Sequence, residues 1–426
     1  MKKKSFLMLL CVAFALGIKA QEVDTTKKIV MNVSAGQAIK FAAYNAPQGT
    51  IIRVLSGEID TIFEAMTQTS APMESSMTKI TAGADTMVIY GDITKFTCAK
   101  NKANLTGLNV KQMPTLIDLR CQDTHITELD LSQNTELEYL DAYQTKLHDM
   151  SFANNTKLQS IDLYQDSLMN TVTFGDNIAL TYLDLGETGI DKLDISGCQN
   201  LQDLWCQYNK IDSIDVSKNT ELTGLYLASN RLTYINMPTN TKLKTLHIND
   251  NMLKSLDINN KPALTQIYMW NNQFTTAGID SIYCLLPTSS SSASIAPAKD
   301  ETDTDVAKVI ATNAQNAKDK NWNVVYYVDK APINTTGNAT CAGATDIFEI
   351  NAENSISIFP NPAENFVVIS KSDISEKPEQ ISIYNEIGQE IYSNTFQWQQ
   401  TIDITSWNSG IYYIKIGNYS NKFIKQ

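Results

Sequence analysis

Histidine is nearly missing from this chain: there are three in 426 residues, at 125, 148 and 247. No His-Glu-x-x-His pair, Gly-x-Ser-x-Gly elbow, glycine-rich phosphate loop or Cys-x-x-Cys pair occurs, so zinc hydrolysis, serine acyl transfer, nucleotide cradling and dithiol exchange lack their usual residues. The expectation is a protein that is not an enzyme, with no cofactor and no metal site. Asp303-x-Asp305 could open a calcium loop, but no glycine and distal glutamate complete it, and acids at a helix start answer the helix dipole. Basic residues are also short, 34 against 46 acidic for a net charge of −12. Counterion release on nucleic acid needs a basic footprint, which excludes that partner. With 11 Pro, 18 Gly and 7 Cys, collagen-like and small disulfide-stapled classes fall away, and 43% apolar residues argue against disorder.

One apolar run is present, over 6–18, preceded by Lys2, Lys3 and Lys4 and followed by Ala20. This reads as a secretory signal peptide over 1–20, too short for a membrane span. Its removal leaves 30 basic against 46 acidic side chains, a net of −16. No later stretch offers about twenty apolar residues in a row, so the mature chain is expected to have no transmembrane segment.

Leucine recurs at 116, 137, 158, 180, 201, 222, 243 and 264, every 21 residues with a single step of 22. An earlier copy starts at Ile93, which makes about nine short turns over 93–274. The clearest is Leu222-x-x-Leu225-x-Leu227-x-x-Asn230-x-Leu232, followed by Ile235-x-Met237-x-x-Asn240. The Leu-x-Leu alternation buries two side chains and exposes the one between them. The Asn is expected to turn the chain and to bond the backbone of the neighbouring coil. Asn101, Asn209, Asn230, Asn251 and Asn272 hold that place, whereas Thr124, Thr145, Asp166 and Thr188 hold it in the middle turns, where the ladder should be weaker. A second series, Asn134, Asn155, Asn177, Asn219 and Asn240, closes the other side of the turns.

These motifs resemble the leucine-rich repeat family in the short form of internalin-like bacterial surface proteins. The resemblance implies a curved solenoid with a parallel sheet on its concave face.

Solenoid ends need caps. Alternating stretches at 29–33, 38–41, 50–54 and 86–89 predict a β cap domain over 21–92. An apolar run at 279–286, a Ser-rich loop at 288–294, a helical pattern from Val306 to Ala317 and a strand over 322–328 predict an α/β cap over 275–342. Cys284 and Cys341 fall in that cap and are the first pair to test for a bridge. Cys98, Cys121 and Cys206 sit where other turns carry Leu or Ile, and read as buried apolar residues.

After a linker at 343–352, short strands with frequent turns over 353–426 predict a small immunoglobulin-like β-sandwich. The Pro360-Asn361-Pro362 turn, the Asn385-to-Gln389 turn with Gly388, the Gly410-Ile411-Tyr412 step, and a last strand carrying Lys422 and Lys425 are similar to the sorting domain of type IX secretion substrates. That resemblance implies the type IX secretion machinery as a partner and passage through the periplasm to the outer surface of a Gram-negative bacterium, anchored or released.

The fold class expected is therefore mainly β, with the solenoid between two caps and a terminal sandwich. On the concave strands the outward position is held by Arg120, Asp141, Asp162, Asp184, Trp205, Tyr226, His247 and Tyr268. The next outward position includes Tyr143, Tyr164 and Trp270. An exposed aromatic stripe is uncommon on a surface that need only stay soluble. The expected function is a secreted or surface-displayed binder, of adhesion or host-interaction type, that holds a protein or glycan on this face. The alternative is a structural or self-associating surface component without a dedicated ligand.

Overall fold

The computed structural model describes residues 23–341 and, beyond them, 356–359, 363, 366–371, 379–396, 399–417 and 419–425. The signal peptide and the linker lie outside the described residues. The chain divides into two compact units, Met1–Ile211 with Glu221–Asn230, and Asp212–Thr220 with Arg231–Gln426.

In the first unit, Lys28–Val33, Ile51–Ser56, Ile59–Glu64, Thr86–Tyr90 and Leu105–Asn109 form one five-stranded antiparallel sheet. Leu105–Asn109 comes from the first repeat, so that turn contributes a strand to the N-terminal sheet. Ala38–Tyr44 instead pairs antiparallel with Lys95–Thr97 and extends the repeat sheet. Its docking is dictated by Asn101, whose Nδ2 donates to Lys40 O at 2.7 Å and whose Oδ1 accepts from Lys40 N at 2.9 Å. Phe41 stacks on Phe96 beneath it, ring centroids 6.4 Å apart.

From Lys95–Thr97 the repeat strands are three residues long: Asp118–Arg120, Tyr139–Asp141, Ser160–Asp162, Tyr182–Asp184, Asp203–Trp205 and Gly224–Tyr226, parallel and in register. The middle residue of each, Leu119, Leu140, Ile161, Leu183, Leu204 or Leu225, is buried, as is the residue two on, from Cys121 to Leu227. The strict alternation leaves no choice, because a slip of one residue would turn every leucine outward. In the second unit Thr245–His247 and Gln266–Tyr268 repeat the pattern. Among the described residues the nine strands of this series bound about eight turns, and the fold is a mainly β leucine-rich repeat solenoid.

The Asn ladders form as the spacing requires. Asn230 Nδ2 donates to Leu227 O in its own turn at 3.1 Å and to Cys206 O in the preceding turn at 2.8 Å, while its Oδ1 accepts from Ile211 N at 3.0 Å. Asn209 and Asn272 repeat this set. At Thr124 and Thr188 the bond to the residue's own turn remains, to Cys121 O at 2.7 Å and to Leu185 O at 2.8 Å, whereas the Thr145 hydroxyl donates to Asp166. On the opposite side Asn155 Nδ2 spans to Leu131 O and Asn134 O at 3.0 and 2.8 Å. One expectation needs correction, because the ladder Asn does not itself reverse the chain. The residue before it does so, with positive φ at Lys100, Asp123, Gln144, Gln165, Glu187, Tyr208, Ser229, Asp250 and Asn271. None of these is glycine, so the side-chain bonds of the next residue must hold each turn in the left-handed region.

Also in the second unit, Ala293–Ala298 and Trp322–Tyr326 continue the parallel sheet after Gln266–Tyr268. The first of these begins inside the stretch expected to be a Ser-rich loop. Pro297 lies within it, and the register shifts between Ile295 and Ala298, as a residue without an N–H requires. Helix Thr276–Leu285 is capped by Thr275 Oγ1, which accepts from Gly278 N. The helical pattern after Asp305 breaks into two short helices, Val306–Ile310 and Gln315–Lys318. Cys284 and Cys341 are joined by a disulfide.

The C-terminal strands form two sheets. Ile356–Phe359, Phe366–Lys371 and Gln399–Asp403 make one, and Glu390–Phe396, Glu379–Asn385, Gly410–Ile416 and Tyr419–Lys425 the other. Between them lies a core of Val367, Ile369, Ile381, Ile383, Ile414 and Phe423. No helix among the described residues is long and apolar enough to cross a membrane.

Candidate binding face

Residues on either side of each inward leucine point outward, so each repeat strand offers three outward positions. Two of them are the columns of Arg120 to Tyr226 and of Tyr143 and Tyr164. The third, two residues before the central one, is held by Asp118, Tyr139, Ser160, Tyr182, Asp203 and Gly224 in the first unit, and the same period-2 signal marks it.

At the start of the first unit's face the charges are paired. Arg120 donates through Nε and Nη2 to both carboxylate oxygens of Asp118, at 3.0 and 3.2 Å, and its Nη1 is 3.9 Å from Asp141. Three aspartates then stand in register, Asp141 beside Asp162 and Asp162 beside Asp184. Burial, reinforced by Asp162, pushes the Asp141 carboxyl up to about 7. Burial also raises Asp162, and brings Asp184 to about 6 although its Oδ1 accepts from Gly186 N at 2.8 Å. Asp184 is buried, at 9% exposure, where a solvent-facing side chain was expected.

Beyond them Trp205 and Tyr226 stack face to face, centroids 3.8 Å apart and planes within 15°. Glycine at 224 permits this, because a Cβ there would lie 2.7 Å from a Tyr226 ring carbon and 2.3 Å from Asp203 Oδ1. Tyr143 and Tyr164 are tied down by neighbours: Lys100 Nζ donates to the Tyr143 hydroxyl at 3.4 Å, and the Tyr164 hydroxyl donates to Glu187 at 2.5 Å.

In the second unit the expected aromatic stripe is corrected. His247 stacks on Tyr268 at 4.2 Å, and burial pulls its imidazole down to about 4. Tyr268 and Trp270 are not exposed, at 9% and 6%. Tyr327 packs edge-on to Tyr268 at 4.9 Å and tilted on Trp270 at 4.3 Å. Lys330 lies over Tyr268 and Tyr327 and donates to the Tyr268 hydroxyl at 3.0 Å. The loop after Trp322–Tyr326 thus covers these rings, a contact across 62 residues that no local pattern announces.

Asp303 and Asp305 are used internally. Asp303 accepts from Lys299 N and Asp305 N, while Asp305 accepts from Asn271 N and pairs with Lys308. Among the described residues no group of His, Cys, Asp or Glu is arranged to hold a metal.

Of the sorting motifs, Pro360, Asn361 and Pro362 lie outside the described residues. Ala363 directly after them donates its N–H to Ile424 O in the last strand at 2.7 Å. Gly388 takes positive φ in the turn closed by Asn385 and Gln389. Gly410 opens the strand in which Tyr412 is buried, its hydroxyl donating to Asn408 O at 2.8 Å and its ring stacking on Phe423. Lys422 is exposed, whereas Lys425 is buried.

Residues 357–426 match the family described as "Secretion system C-terminal sorting domain". The functional domain of InlJ from Listeria monocytogenes is similar at 19% identity, over 78% of this chain and 81% of that one, with a TM-score of 0.46. The leucine-rich repeat domain of APL1B is similar at 15% identity, over 47% and 67%, with a TM-score of 0.37. YopM, a leucine-rich effector protein from Yersinia pestis, shares 18% identity over 38% and 51%, with a TM-score of 0.31. No curated protein matches the chain. The sorting domain addresses this leucine-rich repeat solenoid for type IX export to the cell surface or the medium.

Proposed function

We propose that this protein is a non-enzymatic binder of adhesion or host-interaction type, and that it holds a protein partner on the outward columns of the first unit from Arg120 to Tyr226. The observation that carries the reading is the line of Asp141, Asp162 and Asp184. The fold requires only the inward leucines, yet the outward column sets three carboxylates side by side in partly desolvated positions. Like charges on adjacent strands oppose folding, and a partner presenting Lys or Arg would relieve them. Trp205 and Tyr226 stand at the end of this line as the aromatic anchor types. Each already covers one face of the other, which leaves less ring surface for stacking on a sugar and favours protein over glycan.

The test is capture by the full secreted chain from a panel of purified surface proteins, with a glycan array alongside. Trp205→Ala with Tyr226→Ala, and separately Asp141→Asn with Asp162→Asn, should each weaken binding at least tenfold. Binding that survives both pairs, or self-assembly as the sole association, overturns the reading.

A further inference from the structure

Asp166 occupies the ladder position of its turn, where other turns carry Asn or Thr, and it is fully buried. Its Oδ1 acts as a ladder amide oxygen does, accepting from Thr145 N at 2.6 Å and from the Thr145 hydroxyl at 2.7 Å in the preceding turn. The second atom differs. In Asn209 and Asn230 it is an amide nitrogen donating to the carbonyls 3 and 24 residues back. For Asp166 those offsets fall on Leu163 and Ala142, and Asp166 Oδ2 has no hydrogen-bond partner among the described residues. The next ladder residue supplies none, since the Thr188 hydroxyl is directed at Leu185 O and Asn209 Oδ1, 2.8 and 2.9 Å away. An ionised carboxylate here would set a negative oxygen against carbonyl lone pairs in a site without water-like donors, the costliest way to leave a buried polar group.

We infer that Asp166 is carried as the neutral carboxylic acid, its Oδ2–H donating into the ladder, and that losing this proton loosens the joint between the turns of Thr145 and Asp166. Burial agrees, raising this carboxyl to about 7 against the lowering bonds from Thr145. The charged and titratable groups facing it are Asp162 of its own turn, which raises it further, Lys146 of the preceding turn, which lowers it, and, further off, the Cys121 thiol. The folded state then keeps a proton that the unfolded chain releases near pH ~4. Stability from this group is therefore full below about pH 4, declines as pH rises to about 7, and is level above that.

Asp166→Asn in the full chain tests the inference, because the amide supplies the missing donors and cannot ionise. Its melting temperature should exceed that of the parent at about pH 8, and the parent's excess pH dependence between about 4 and 7, one proton's worth, should disappear. Infrared difference spectra between the two proteins at about pH 5 should show a protonated carboxyl band belonging to the parent, gone at about pH 9. A pH-independent offset, absence of that band, or failure of the Asn variant to fold overturns it, since each would mean that the site does not want a donor.

Discussion

At the scale of the residue, the acidic column sets a pH response with a definite sign. Asp141 and Asp184 titrate near 7 and 6 in the folded chain because burial disfavours their charge. Their folded values lie above the unfolded one, so their contribution to stability is present in acid and lost as pH rises through about 4 to 7. Binding of a basic partner should run the other way. Its affinity should be highest at about pH 8 and fall several-fold by about pH 5.5 as the carboxyls are neutralised, and Asp141→Asn with Asp184→Asn should flatten the profile. Titration of affinity against pH for both proteins checks this.

The unit of the fold is the turn, where two residues in sequence share one task. Ser229 takes φ 56° and Asn230 pins it with four backbone bonds. Asn230→Ala would orphan buried carbonyls and an N–H and should cost roughly 2–4 kcal/mol. Ser229→Val, a β-branched residue forced into the left-handed region, should cost about 1–2 kcal/mol with no bond lost. Urea unfolding of each variant separates the two, and equal small effects would show that the ladder does not hold the turn.

On the scale of the whole molecule, two address devices frame the repeat array in sequence. Deleting 422–426 removes most of the strand that pairs with Gly410–Ile416 and receives Ala363, so the exported chain should accumulate in the periplasm. Residues 347–426 fused behind a periplasmic reporter should carry it to the surface of a type IX competent cell, and fractionation reads both outcomes. Within the array, stability is the sum of neighbour interfaces. Leu225→Asp, which places a charge against Leu204 of the paired strand, should abolish cooperative unfolding of the first unit. An unchanged melting curve would refute the register.

The repeat was legible in the sequence because each turn solves the same burial problem. The inward leucines, the ladder Asn and the Asn series on the other side all answer to neighbours one period away, so the 21-residue spacing carried the solenoid, its register and the outward column of Arg120 to Tyr226. The terminal motifs carried the sorting domain in the same way. Tertiary structure decided what distant segments do to that face. Tyr327 and Lys330 reach back to cover Tyr268 and Trp270, Gly224 makes room for Tyr226 to lie against Trp205, and packing leaves Asp184 buried and one oxygen of Asp166 without a donor among the described residues. Periodicity tells which way a side chain points, because alternation is a property of the backbone. How much water it meets there depends on what else folds over it.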